Sequence, residues 1–415
     1  MRLINCETMR FKEFIGDNIP EYGILSHTWD SKEVSYQDYV ALQDLTGLSN
    51  HSTPAIEKIL GTCAEAKKDS LKYVWIDSCC INKESSAELT EAINSMYKWY
   101  KKSKRCYVYL SDFKLDVENP DHRRNTGKYE LTATEVAELT KCRWFRRGWT
   151  LQELLAPEDI IFFNHNWKCF GSKHNLETYL SSITRIPCFV LVHSNSNRIY
   201  RYSIAQRMSW AAKRITTRGE DMAYCLFGIF DVNLPLLYGE GLQKAFIRLQ
   251  EAIIKKSNEL TIFAWKSNGR TGRSGILATS PDKFVDSGDI VSCTWADAKL
   301  KKSLYRGIPP DGTAWARKPS WDPEFIMTNK GLRIDTDARF DSKGSYIMLL
   351  NCVHGDTIKR DGVEDFQVPV LGIFLDKDDT AGTERFCRSC PNMLPVILPD
   401  NGDVWVPLRM YIAKT

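Results

Sequence analysis

The chain lacks a strong charge imbalance. Fifty-six Lys and Arg against 52 Asp and Glu leave a formal +4 over 415 residues, which speaks against a dedicated nucleic-acid binder with its concentrated basic face. The densest basic run, KWYKKSKR (98–105), reads as a solvated helix end, where cations suit the C-terminal dipole. No apolar run approaches the ~18 residues of a membrane span. The opening MRLINCETMRFKEF carries charge throughout and has no apolar leader segment. Repeats and low-complexity tracts are missing. CRSC (387–390) has neither a second pair nor a nearby His, so it reads as ordinary cysteines, with a zinc or redox site as the alternative. LYGEG (237–241) places two glycines at a helix start but lacks GxxxxGK[ST], which removes a triphosphate-binding loop from consideration.

What is present is the composition of an ordinary globular protein, 43% hydrophobic and 26% charged. The length suggests two domains. Thirteen cysteines, odd in number and scattered, fit a reducing, cytoplasmic compartment and free buried thiols.

Four short apolar runs alternate with helical patterns. YGILSHTW (22–29), LKYVWID (71–77), CYVYLSD (106–112) and DIIFFN (159–164) read as strands. STPAIEKILGTCAEAKK (52–68) reads as a helix with Thr53 as N-cap and Pro54 at its first position. SSAELTEAINSMYKWYKK (85–102) reads as another, with Ser85 and Glu88 at capping-box spacing. A third falls near 133–141. This alternation predicts an α/β fold with a parallel sheet, with Ile24, Val74, Val108 and Ile161 on its central strands. Such sheets bind ligands at the carboxyl ends of their strands, here Ser26–Trp29, Asp77–Lys83 and the loop after Asp112. Residues 203–257 read as helical. From about 261, TIFAW, GLRIDTDARF, YIMLLNCV, FQVPVLGIFL, MLPVIL and VWVPLRMYIA predict a C-terminal antiparallel β domain, a small sandwich or barrel.

The segment CRWFRRGWTLQELLAP (142–157) reads as a short apolar helix in which Trp149 and Glu153 share one face. Read from residues alone, Glu153 is either a site carboxylate or the ion-pair partner of Arg146 or Arg147. Ser26, His27, Thr28 and Trp29 offer hydroxyls, an imidazole and a ring to a nucleotide, or serve only their own loop. Asp77 suits a ribose hydroxyl or a turn. Arg146 and Arg147 suit a pyrophosphate. Cys79 or Cys80 with His27 offers a different chemistry, a thiol nucleophile.

YGILSHTWD, YVWIDSCCINKESSAELTEAINSMYKWY, RWFRRGWTLQELLAP and SWAAKRITTRGEDMAYCLFGIFDVNLPLLYGEG together resemble the fungal heterokaryon-incompatibility (HET) domain. The resemblance covers roughly the first two-thirds of the chain. It implies non-self recognition that ends in regulated cell death. It also sets the boundaries: a HET domain over 1–260, made of an α/β core (about 20–185) and a helical section (about 200–258), then a β-rich domain over 261–415. HET domains in turn look like remote relatives of Toll/interleukin-1 receptor (TIR) domains, flavodoxin-like folds of which some cleave NAD at the nicotinamide bond. Ser26, Asp77, Trp149 and Glu153 match that signature in order and spacing, with Thr150 where a Cys or small residue is usual. The resemblance implies Glu153 as the catalytic carboxylate, and Ser26, His27, Thr28, Trp29, Asp77, Arg146, Arg147 and Trp149 as nucleotide-binding. NAD would be substrate, with no resident cofactor or metal. It also implies self-association on activation, with an upstream receptor or second HET protein as further partner. The alternatives are a non-enzymatic signalling module and a cysteine-dependent hydrolase.

Overall fold

The computed structural model describes residues 1–16, 18–44, 53–115, 130–192, 196–267, 272–292, 324–340, 345–358, 370–378, 385–397 and 405–414. Two compact units emerge. The first comprises Met1–Ile199 and Arg214–Leu237, the second Tyr200–Lys213 and Tyr238–Thr415. The helical stretch 203–257 is divided between them.

The first unit is built on a seven-stranded mixed sheet. Its strands are β1 (Arg2–Asn5), β2 (Phe11–Glu13), β3 (Gly23–His27), β4 (Tyr73–Trp75), β5 (Arg105–Tyr109), β6 (Ile160–Phe163) and β7 (Cys169–Ser172), in the order β2-β1-β4-β3-β5-β6-β7. The inner four, β4, β3, β5 and β6, are mutually parallel. They are the four expected strands, and Ile24, Val74, Val108 and Ile161 all lie on them, each almost fully buried. Apolar runs without alternation suit strands covered on both faces. From β3 the chain moves to β4 on one side and then to β5 on the other, so the strand order reverses between β3 and β5. The loops at that reversal are the natural ligand position of an open α/β sheet.

Antiparallel strands extend both edges, a part of the sheet the apolar-run pattern did not reveal. The hairpin β1–β2 adds to β4, and β7 adds to β6. These strands are short, and several of their side chains are polar.

The helices of this unit are α1 (Tyr36–Asp44), α2 (Pro54–Lys68), α3 (Ser86–Lys102), α4 (Ala133–Lys141), α5 (Thr150–Leu155), α6 (Glu177–Thr184), α7 (Cys188–Val192) and, beyond the second unit's first helix α8, α9 (Asp221–Tyr224). Thr53 caps α2 by accepting from the Ile56 N–H, and Pro54 opens it. Ser85 caps α3, accepting from the Glu88 N–H. Glu88 does not complete a capping box. Its carboxylate accepts instead from Arg2 and from the Asn82 N–H.

Residues 142–157 are not one helix. Arg143–Arg146 form a 3₁₀ turn, Arg147 is extended, and α5 starts only at Thr150. The break has a long-range cause. The Gly148 N–H donates to Ile215 O (2.8 Å) and the Ile215 N–H to Arg146 O (2.6 Å), so this stretch pairs with a segment far along the chain. Gly148 admits that approach: a Cβ there would lie 2.5 Å from the Thr216 side chain.

The second unit carries α8 (Ile204–Ser209), with a Ser203/Gln206 capping box, and α10 (Leu242–Ile254), which follows the positive-φ Gly241. Its strands are β8 (Ile290–Ser292), β9 (Phe325–Thr328), β10 (Gly331–Phe340), β11 (Tyr346–Leu349), β12 (Cys352–His354), β13 (Val370–Lys377), β14 (Arg385–Ser389), β15 (Val396–Ile397) and β16 (Trp405–Ile412). Pairings run β11-β10-β16-β14-β13, and β13 pairs back with β11, closing a five-stranded ring. All of these pairings are antiparallel except β14 with β16. TIFAW is a correction: Leu260–Phe263 is a 3₁₀ turn, not a strand. Residues 366–369 of FQVPVLGIFL, most of the loop after Asp112, and Cys293 lie outside the described residues.

Within this ring, Arg388 of CRSC is fully buried. It donates to Phe263 O and Trp265 O and lies 3.9 Å from the Trp265 ring centroid. No group of metal-ligating side chains occurs among the described residues, CRSC included. No helix among them is long and apolar enough to cross a membrane.

Candidate functional site

The carboxyl ends of β3 and β4 gather most of the residues singled out by the sequence. Glu153, on α5, is 5% exposed. The Ser26 hydroxyl donates to Glu153 Oε2 at 2.5 Å and itself accepts from the Trp144 indole N–H at 2.8 Å. Ser26 and Trp144 are fully buried. The Tyr100 hydroxyl, which donates to Leu25 O, is a further neighbour of this carboxyl.

Glu153 is therefore neither a surface carboxylate nor the salt-bridge partner of Arg146 or Arg147. Burial pushes its carboxyl up to about 8, the nearby Asp77 charge adds to the rise, and Ser26, Arg147 and Tyr100 oppose it. At neutral pH the resting group is mostly the neutral acid.

His27 lies between two carboxylates, 3.7 Å from Asp77 and 3.6 Å from Glu33. Its Nε2 and Asp77 Oδ1, both buried, have no hydrogen-bond partner among the described residues. Asp77 Oδ2 accepts from the Trp29 indole N–H at 2.9 Å. Thr28 is buried, and its carbonyl accepts from Lys58. Lys58 also pairs with Asp30 (2.7 Å) and Glu33 (2.5 Å). Burial works against charge on Glu33, but His27 and Lys58 hold its carboxyl down at about 2. Arg143 meets Asp30 (2.6 Å) and Asp112 (3.5 Å).

The remaining candidates separate. Arg147 is partly buried and approaches the Trp29 ring, whereas Arg146 is exposed. Trp149 turns its indole N–H to Asp221 (3.3 Å), and Trp144 is the tryptophan bonded into the Glu153 cluster. Cys79 and Cys80 are buried. Burial, reinforced by Cys80, raises the Cys79 thiol well above its ordinary value, the opposite of an activated thiolate.

Two buried cations outside the sequence-derived set hold α5. Arg214 donates to Arg147 O and Thr150 Oγ1, both at 2.9 Å, and burial lowers it to about 10. Lys173 donates to Leu154 O (3.5 Å) and Pro157 O (2.5 Å) at the helix's carboxyl end, and burial lowers it to about 8. Thr150 in turn bonds to Trp144 O. Isolated basic residues in polar stretches give no sequence signal for such roles.

A buried carboxyl beneath polar and aromatic residues thus lies at the strand-order reversal of an α/β domain. Residues 22–153 match the family model described as heterokaryon incompatibility protein (HET), so this stretch is similar to a HET domain. Over 246 residues it is 44% identical to vegetative incompatibility protein HET-E-1 of Podospora anserina. That match covers 59% of this chain and 17% of the relative's length. No solved structure matches the chain.

Proposed function

We propose that the first unit hydrolyses NAD at the nicotinamide–ribose bond, and that this reaction executes a vegetative-incompatibility response ending in regulated cell death. The observation that carries the reading is Glu153, a buried carboxyl positioned by Ser26 at the ligand edge of the parallel sheet. The order of the parallel strands, which is 2-1-3-4 when they are numbered by their sequence among themselves, supports the flavodoxin-like, TIR-like comparison. The family match and the relative's name support the biological role.

In this reading the glycosidic bond breaks with its electron pair leaving on nicotinamide, which departs neutral and needs no general acid. The ribose C1′ gains oxocarbenium character, and ionised Glu153 stabilises that charge. Water then bonds to C1′ and gives up its proton to the carboxylate. The resting acid releases its proton to solvent when the positively charged pyridinium of NAD is brought beside it, because a neighbouring cation favours the charged form, and the proton later taken from water restores the acid. Activation proceeds by self-association or by contact with an upstream receptor or a second HET protein.

The test is nicotinamide release from NAD by the whole purified chain, dilute and at concentrations that promote assembly. Wild type should release nicotinamide. E153Q should be slower by about two orders of magnitude or more, the usual cost of one well-placed electrostatic group. No release in any assembly state would replace this reading with a non-enzymatic signalling module.

A further inference from the structure

Trp29 stands where β3 gives way to its loop. The Lys83 ammonium lies 3.6 Å from its ring centroid, and the Arg147 guanidinium carbon lies 5.8 Å from the same centroid. The ring is fixed by the bond from its N–H to Asp77 Oδ2. Two cations therefore approach one ring, close to the Glu153 carboxyl, whose charge Arg147 favours.

These cations differ from their neighbours. Lys58 and Arg143 are each neutralised by two carboxylates in the same loop cluster. Lys83 and Arg147 have no carboxylate in ion-pair range among the described residues. Among the described residues Lys83 makes one hydrogen bond, a long one of 3.4 Å to Ser78 O, and burial lowers its ammonium while the Asp77 and Glu33 charges oppose that fall. The two cations repel each other, no carboxylate makes ion-pair contact with either, and an anion between them would relieve the repulsion. A second observation points to a ligand. Asp77 Oδ1 is a buried acceptor with no hydrogen bond among the described residues; His27 Nδ1 stands 3.7 Å away, beyond hydrogen-bond reach, and a sugar hydroxyl would supply the missing donor.

We propose that Lys83 and Arg147 form an anion subsite that takes the diphosphate of a dinucleotide, with Asp77 Oδ1 accepting a ribose hydroxyl beside it. The inference deepens the NAD reading and rests on it for the placing of Glu153. Arg147 supplies a planar fork for a phosphate edge and Lys83 a point charge. The substrate class is thus a ribose carrying phosphate, and nicotinamide riboside, which has none, does not use the subsite.

Calorimetric titration with ADP-ribose would test this in wild type, K83Q, K83R and R147Q, with melting curves confirming the fold of each. K83Q and R147Q should weaken ADP-ribose by about tenfold or more, as loss of a charge-assisted contact does. K83R should stay within about threefold of wild type, since the charge is kept. In steady-state cleavage, K83Q should raise KM for NAD with little change in kcat, and leave nicotinamide riboside unaffected. Equal affinity of wild type and K83Q for ADP-ribose, or no binding by wild type, would overturn the subsite. The two readings fail separately. ADP-ribose binding through Lys83 without nicotinamide release removes the hydrolase and leaves the subsite. NAD cleavage with an unchanged KM in K83Q removes the subsite and leaves the hydrolase.

Discussion

Ser26 and Glu153 are 127 positions apart in the chain and 2.5 Å apart in space. The hydroxyl at the end of a central strand donates to a carboxyl on a six-residue helix, and both are buried. The pair couples the proton on Glu153 to the stability of the first unit.

That coupling has a sign. Glu153 ionises at about 8 in the folded chain against an ordinary 4.5. Its contribution to stability is fully present below pH 4.5, falls as pH rises, and is gone once pH passes 8. E153Q, which cannot ionise, should lack this slope. Urea denaturation at pH 5, 7 and 9 should show wild type losing on the order of a few kcal/mol relative to E153Q across that window. Parallel stability curves for the two proteins would mean that the carboxyl is not held as a neutral acid.

Arg214 ties the 142–157 stretch to the segment that follows it in space. Arg214→Met removes its bonds to Arg147 O and Thr150 Oγ1. The expected cost is about 2 kcal/mol or more, because two buried acceptors lose a charged donor. Both bonds leave one nitrogen, Nη1, so Arg214→Lys, which keeps the charge and several donors on a single nitrogen, should recover much of it. Chemical denaturation decides the matter, and an Arg214→Met protein as stable as wild type would remove Arg214 from the support of α5.

Twelve cysteines fall among the described residues, and all twelve are free thiols. Thiol titration in denaturant without reductant should count thirteen per chain, Cys293 included. In the native protein most should react slowly, because ten of the twelve are buried. A reproducible shortfall of two or more in denaturant would show a disulfide.

How far the sequence could be read depended on the range of the interactions involved. Helix starts are local, so Thr53 with Pro54, and Ser85, announced α2 and α3 correctly. The four parallel strands were equally plain, since Ile24, Val74, Val108 and Ile161 sit in apolar runs that only a covered sheet accommodates. What depends on distant pairing was not legible. The i, i+4 spacing of Trp149 and Glu153 suggested a single continuous helix. The pairing of Arg146 and Gly148 with Ile215 breaks that helix, and Trp144 becomes the tryptophan bonded to Ser26. Lys83 and Arg146 are both basic residues in polar surroundings, and nothing local tells which one reaches Trp29. The edge strands β1, β2 and β7 lacked apolar runs, so periodicity passed over them.

The closed ring of the second unit bears on synthesis. β16 pairs with β10 on one side and β14 on the other, and it is the last of the ring strands to leave the ribosome. Until residues 405–412 emerge, β10 has one flank of backbone groups without its final neighbour, the condition in which nascent β structure is most prone to associate with other chains. Ribosome stalling just before residue 405 should therefore leave this unit open and chaperone-dependent, while all seven strands of the first unit's mixed sheet, the last ending at Ser172, have already been made.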